Sequence, residues 1–135
     1  MNQNQKITAF LLARLAAGVS MLGHGLVRLP KLTGFSQWMQ DVFKDSMLPA
    51  VLVTPFSYAL PIIEFISGLL LVLGLFTRFA AVLGAAAMIA LLFGSCMVEK
   101  WDWIPPQLIH VAFFCTLIIY EKEYNSYALD KVVKK

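Results

Sequence analysis

Four long apolar runs constrain this chain more than any other feature. A helix that crosses the hydrocarbon core needs about 20 mostly apolar residues. Runs of that kind lie at 7–29, 55–76, 79–98 and 101–120. Arg14 and His24 interrupt the first, which closes at Pro30; Glu64 is the one charge in the second. The third has no charge, and the fourth opens on Trp-Asp-Trp-Ile-Pro-Pro and contains Gln107 and His110. The runs lack the period-two alternation of barrel strands and are too few for a barrel. The expected fold is all-α, a single transmembrane domain over residues 1–135 built as a four-helix bundle.

Composition agrees. Apolar residues make up 59% and charged residues 14%, with a mean hydropathy of +0.73; soluble domains carry roughly 45–50% and about 25%. That balance argues against disorder, nucleic-acid binding and a disulfide-stapled secreted module as main readings. The first run is too long, and too interrupted by Arg14, for a cleaved signal peptide, so it is read as retained.

Flanking charges set the expected orientation. With four spans, Lys6, Arg78, Lys122, Lys131, Lys134 and Lys135 fall on one side, and Arg28, Lys31, Lys44 and Lys100 on the other. The positive-inside rule then puts both termini in the cytoplasm. The long connection, residues 30–53, carries Phe35, Trp38, Met39, Val42 and Phe43 at helical spacing with polar residues between them. Its amphipathic helix suits an interfacial position, flat on the membrane surface. A lid over the bundle is the second reading.

Polar groups inside the spans need a reason, because an ionisable side chain at mid-bilayer costs about 2.5–3.5 kcal/mol on insertion scales. At ~1.5 Å per residue, Glu64 falls near the midplane, and His24 and His110 each sit roughly 8 Å below the outer boundary. Gln107 is one turn shallower than His110 on the same stripe, and Arg14 lies about 10 Å deep from the opposite side. These groups are expected to converge on a cavity, with Glu64 as proton acceptor and His24 and His110 as hydrogen-bond partners. Depth alone pairs Arg14 with Glu64. The plainer alternatives are histidines satisfied by carbonyls, a snorkelling Arg14 and a protonated Glu64.

Other features read as packing. Ala86, Ala90 and Gly94 form a small-residue stripe on the third span, and Ala16 and Ser20 another on the first. Cys96 and Cys115 differ too much in depth for a disulfide. Trp101 and Trp103 fit an interfacial belt. The sequence has no Rossmann glycine run, P-loop, CxxCH or HExxH, and no metal-ligand pattern.

The stretch R-L-A-A-G-V-S-M-L-G-H-G-L-V-R-L at 14–29, the stretch E-F-I-S-G-L-L-L-V-L-G-L-F-T-R at 64–78 and the closing N-S-Y-A-L-D at 125–130 resemble the DoxX family of small bacterial membrane proteins. The resemblance implies a four-helix bundle in the bacterial inner membrane. Some relatives are membrane subunits of thiosulfate:quinone oxidoreductase, and others are linked to oxidoreductases of sulfur or oxidative-stress chemistry. It also implies that Arg14, His24, Glu64 and Arg78 occupy motif positions whose role is tied to quinone or to a partner subunit.

Three functions compete on this reading. The first is a redox-linked subunit that binds quinone, with Glu64, His24 and His110 as the reacting groups and Arg14, Gln107 and Arg78 as cofactor-binding ones. The second is a non-catalytic scaffold for a partner oxidoreductase. The third is a small-solute or proton pathway, which needs a homo-oligomer. A haem b held by His24 and His110 is disfavoured, because each histidine has a simpler explanation.

Overall fold

The computed structural model describes residues 1–133, so Lys134 and Lys135, counted above in the orientation argument, lie outside the described residues. Six α-helices follow one another: α1 (Gln3–Arg28), α2 (Leu32–Phe43), α3 (Ala50–Leu73), α4 (Thr77–Met97), α5 (Ile104–Tyr124) and the short α6 (Asp130–Val133). No strand occurs among the described residues. Four segments are long and apolar enough to cross a membrane, and α1, α3, α4 and α5 supply them. The chain is a multi-pass membrane protein with an all-helical fold.

Local chemistry explains the boundaries. Asn2 caps α1 through a reciprocal box with Gln5, each side chain accepting from the other's backbone N–H. Gly74 ends α3 in a left-handed conformation (φ 68°), and the N–H of Leu75 returns to the carbonyl of Leu70 at 2.9 Å. Three residues later α4 begins, so α3 and α4 are tightly joined antiparallel neighbours. The span expected to start at Pro55 starts at Ala50 instead and runs through both Pro55 and Pro61. Proline is tolerated inside such helices because neighbouring groups satisfy the freed carbonyls.

The tightest seam joins α1 to α3 and depends on glycine. An added Cβ at Gly68 would lie 2.2 Å from the backbone nitrogen of Leu22, and one at Gly25 would lie 2.6 Å from that of Phe65. Backbones this close leave no space for a side chain, which is the packing logic of membrane helices in general. The main core cluster lies between the four long helices and includes Phe10, Met21, Leu71, Ala80, Ala81, Phe114 and Leu117.

On α4 the buried small residues are Ala80, Ala81, Gly84 and Ala87, whereas Ala86 and Ala90 are exposed. The expected stripe is therefore shifted around the helix, with Gly94 its one buried member. On α1, likewise, Ala17 and Gly18 are buried and Ala16 is exposed.

Helix α2 folds back over one end of the bundle. Met39 joins Val53, Leu60 and Ala87 in a second core cluster, and Ser36 shares a buried hydrogen bond with Ser57 at 2.7 Å. Trp38 reaches the far side, its ring 5.9 Å from that of Trp103 ahead of α5. The helix lies between the first two spans, as expected of the interfacial helix, and its packing against the bundle end also makes it the lid of the second reading.

Candidate functional site

A cavity of about 310 Å³ opens beneath this lid, within the range of ~300–1,000 Å³ common for ligand sites. Its walls come from every major helix. Phe35, Trp38, Met39 and Phe43 of α2 face Leu60 of α3 and Met88 and Leu91 of α4, all apolar. His24 and Arg28 of α1, Glu64 of α3, Ser95 of α4, Gln107 and His110 of α5 and the preceding Asp102 supply the polar groups.

Glu64 is 1% exposed and ion-paired with Arg28, whose Nη1 donates to both carboxylate oxygens at 2.6 and 2.8 Å. Such charge-assisted bonds are about twice as strong as neutral ones. The same guanidinium lies over the ring of Phe35, 4.6 Å from Cζ to centroid, which ties the lid to the ion pair.

The two histidines are linked through Ser20. The ring nitrogen Nδ1 of His24 lies 2.6 Å from the carbonyl of Ser20, and Nε2 of His110 lies 2.7 Å from the Ser20 hydroxyl. Nδ1 of His110 is 2.7 Å from the carbonyl of Pro106. A carbonyl can only accept, so Nδ1 carries the proton in both rings. In the neutral tautomer His110 Nε2 then accepts from Ser20, and His24 keeps an unprotonated Nε2. The rings meet edge to face with centroids 6.5 Å apart. The amide of Gln107 pairs with the Ser95 hydroxyl at 3.0 Å.

Glu64, His24, His110 and Gln107 therefore share one cavity, as their depths suggested. Arg14 and Arg78 do not line it. The inferred pairing of Arg14 with Glu64 is overturned: matched depth says nothing about which way a helix face points, and Arg14 faces the other end of the bundle. There its guanidinium donates to Oδ1 of Asn125 and, at 2.7 Å, to the carbonyl of Tyr127. Asn125 in turn donates to the Thr77 hydroxyl at 3.0 Å. The carboxylate of Asp130 accepts from the backbone N–H groups of Phe76 and Thr77 at 2.7 and 3.0 Å, capping α4. The Arg14 side chain fills the space beside Gly74, where a Cβ would meet Nη1 at 2.5 Å. Arg78 is exposed near this end, with Lys122 and Glu121, along a separate open groove.

Arg28, which lines the cavity, and Ser20, which contacts both histidines from outside its lining, are not singled out as site residues by the sequence. Arg28 reads there as a flanking charge, although it stands one turn beyond His24 on the same helix face, which is the signal that marks it. Ser20 reads there as a packing residue. Both cysteines are free, and no cluster of metal-binding side chains occurs among the described residues.

Residues 9–95 match the family model DoxX. Comparison with curated proteins and with solved structures returned no match.

Proposed function

We propose that this chain, which belongs to the DoxX family, binds a quinone in the cavity beneath α2 and serves a redox complex as its membrane subunit. The observation that carries this reading is the joining of an aromatic and aliphatic wall with hydrogen-bonding groups from α1, α3 and α5 in one cavity. A quinone ring needs an apolar slot and a donor near each carbonyl, and the donor set fits it. Arg28 offers N–H groups not spent on Glu64, and His24, when protonated, offers Nε2–H.

A bound quinone would supply the electron acceptor: reduction to quinol consumes two electrons and two protons. The electrons come from a partner oxidoreductase subunit, with a sulfur compound of the thiosulfate type as donor. Glu64 relays protons at the polar end of the cavity, and Arg28 holds its carboxylate in place. His110, fixed by Ser20 and Pro106, orients the adjoining wall.

The test is a titration of purified protein with a short-tailed quinone, read by quenching of tryptophan fluorescence, since Trp38 and Trp103 both line the cavity. Saturable quenching in the wild type, weakened at least tenfold in Glu64→Gln or His110→Ala folded to the same extent, is the expected result. Equal affinity in both variants would overturn the proposal.

A second reading, a scaffold without chemistry of its own, finds support in α5. That helix buries only Phe114 and Leu117 fully and exposes Leu108, Ile109, Phe113 and Ile119. Such a face suits lipid or a partner's transmembrane helix equally. Crosslinking from α5 positions to a copurifying oxidoreductase, without saturable quinone binding, would favour it.

A further inference from the structure

A second cavity, of about 280 Å³, adjoins the first and shares with it Met39, Phe43 and Leu91. Its character is different. No ionisable side chain lines it; beyond the shared residues the walls are Leu48, Leu52, Val53, Phe56, Ala90 and Gly94. One cavity thus ends in the Glu64–Arg28 pair and the histidines, and its neighbour across a three-residue partition is wholly apolar. Gly94 helps shape the partition, because a Cβ there would press on the Phe43 ring at 3.0 Å. Leu52 and Ala90 stand at the exposed rim of the apolar cavity, so it borders the lipid side of α3 and α4.

We propose that the two cavities together bind one long amphiphile, its polar head beside Glu64 and Arg28 and its hydrocarbon tail passing the Met39–Phe43–Leu91 partition into the apolar cavity. This rests on the quinone reading and deepens it: the preferred ligand is a quinone with an isoprenoid tail, not a water-soluble tail-less one. The partition suits this use. Met39 and Phe43 sit on α2, and Met has three rotatable bonds and a deformable thioether, so the opening adapts to a chain without disturbing the ion pair. A tail in the apolar cavity gains hydrophobic contact area that a bare ring cannot make.

The experiment compares a dimethoxy-methyl-benzoquinone with no tail and the same ring with a two-isoprene tail. Affinities are measured in one detergent by tryptophan quenching, for the wild type, Ala90→Trp and Leu52→Trp. The two substitutions fill the apolar cavity from α4 and from α3, at exposed positions where folding tolerates bulk. Because both ligands and all proteins share the detergent, micelle partitioning cancels when the tailed-to-tail-less affinity ratio is compared between proteins. The expected result is a ratio that falls at least tenfold in a filled variant while tail-less affinity stays within twofold of the wild type. An unchanged ratio in both variants overturns the tail site and leaves the head site standing. Failure of both ligands to bind the wild type overturns the quinone reading and this inference with it, and binding of the tail-less ring alone overturns the tail site.

Discussion

The Arg28–Glu64 pair can be weighed directly by a double-mutant cycle with Arg28→Met and Glu64→Gln. Two unit charges about 4 Å apart attract by about 4 kcal/mol at an effective dielectric of about 20. Glu64 is 1% exposed but the Arg28 side chain is 26% exposed, so solvent screening lowers the expected coupling to about 2–3 kcal/mol. The single variants should be unequal. Arg28→Met strands a buried carboxylate, a change that costs about 3–5 kcal/mol when the charge persists and less when the group takes up a proton. Glu64→Gln leaves a guanidinium that still reaches solvent and still covers Phe35, and should cost about 1–2 kcal/mol. Unfolding in mixed micelles, titrated with SDS and followed by circular dichroism, gives all four stabilities. Interhelical hydrogen bonds in membranes average about 0.6 kcal/mol. A coupling at or below that figure, or a costlier Glu64→Gln than Arg28→Met, would refute the idea that charge pairing holds this site together.

Three further outcomes follow from the packing. Gly68→Leu should destabilise by more than about 3 kcal/mol, because its Cβ alone would stand 2.2 Å from a backbone nitrogen of α1; a melting temperature like the wild type's would contradict the α1–α3 seam. Asp130→Asn should cost about 1–2 kcal/mol through the weakened cap on α4, with hydrogen exchange rising first at Phe76 and Thr77; uniform exchange would count against the cap. Ser20→Ala should loosen His110, which loses its Nε2 partner, and move that ring's Nε2 chemical shift in the NMR spectrum while leaving the melting temperature within a few degrees. An unmoved resonance would show that Ser20 does not hold the ring.

Much of the architecture was legible because membrane helices announce themselves by length and hydropathy, and depth follows from a fixed rise per residue. Counting along the chain was enough to group Glu64 with His24, His110 and Gln107. Counting does not report azimuth, and the misreadings have that origin. The residues around Ala86 and Ala90 are nearly all small or apolar, so the sequence offers no contrast between buried and exposed faces and the stripe was misplaced by a fraction of a turn. Arg14 finds Asn125 and Tyr127, 111 and 113 residues away, on a closing segment that hydropathy leaves unmarked. Arg28 was hidden by its position: an arginine at a span's end ordinarily sets topology, and this one turns inward to Glu64.

The motif that carries the family resemblance divides between two ends of the bundle. Glu64 and His24 line the cavity, while Arg14, Gly74, Thr77, Asn125 and Asp130 pin the chain's closing segment to the α3–α4 turn. Residues of one motif therefore serve separate physical tasks, and loss of function at Arg14 would not by itself speak for chemistry there. The discriminating comparison is Arg14→Leu against Glu64→Gln. Arg14→Leu removes the partner of one buried and one part-buried acceptor and should cost about 2–4 kcal/mol of stability, yet the fraction that remains folded should bind quinone with wild-type affinity. Glu64→Gln should do the reverse, weakening binding more than folding. If quinone affinity of the folded Arg14→Leu protein also fell tenfold or more, the two ends would be coupled, and the separation of a structural latch from a binding cavity would fail.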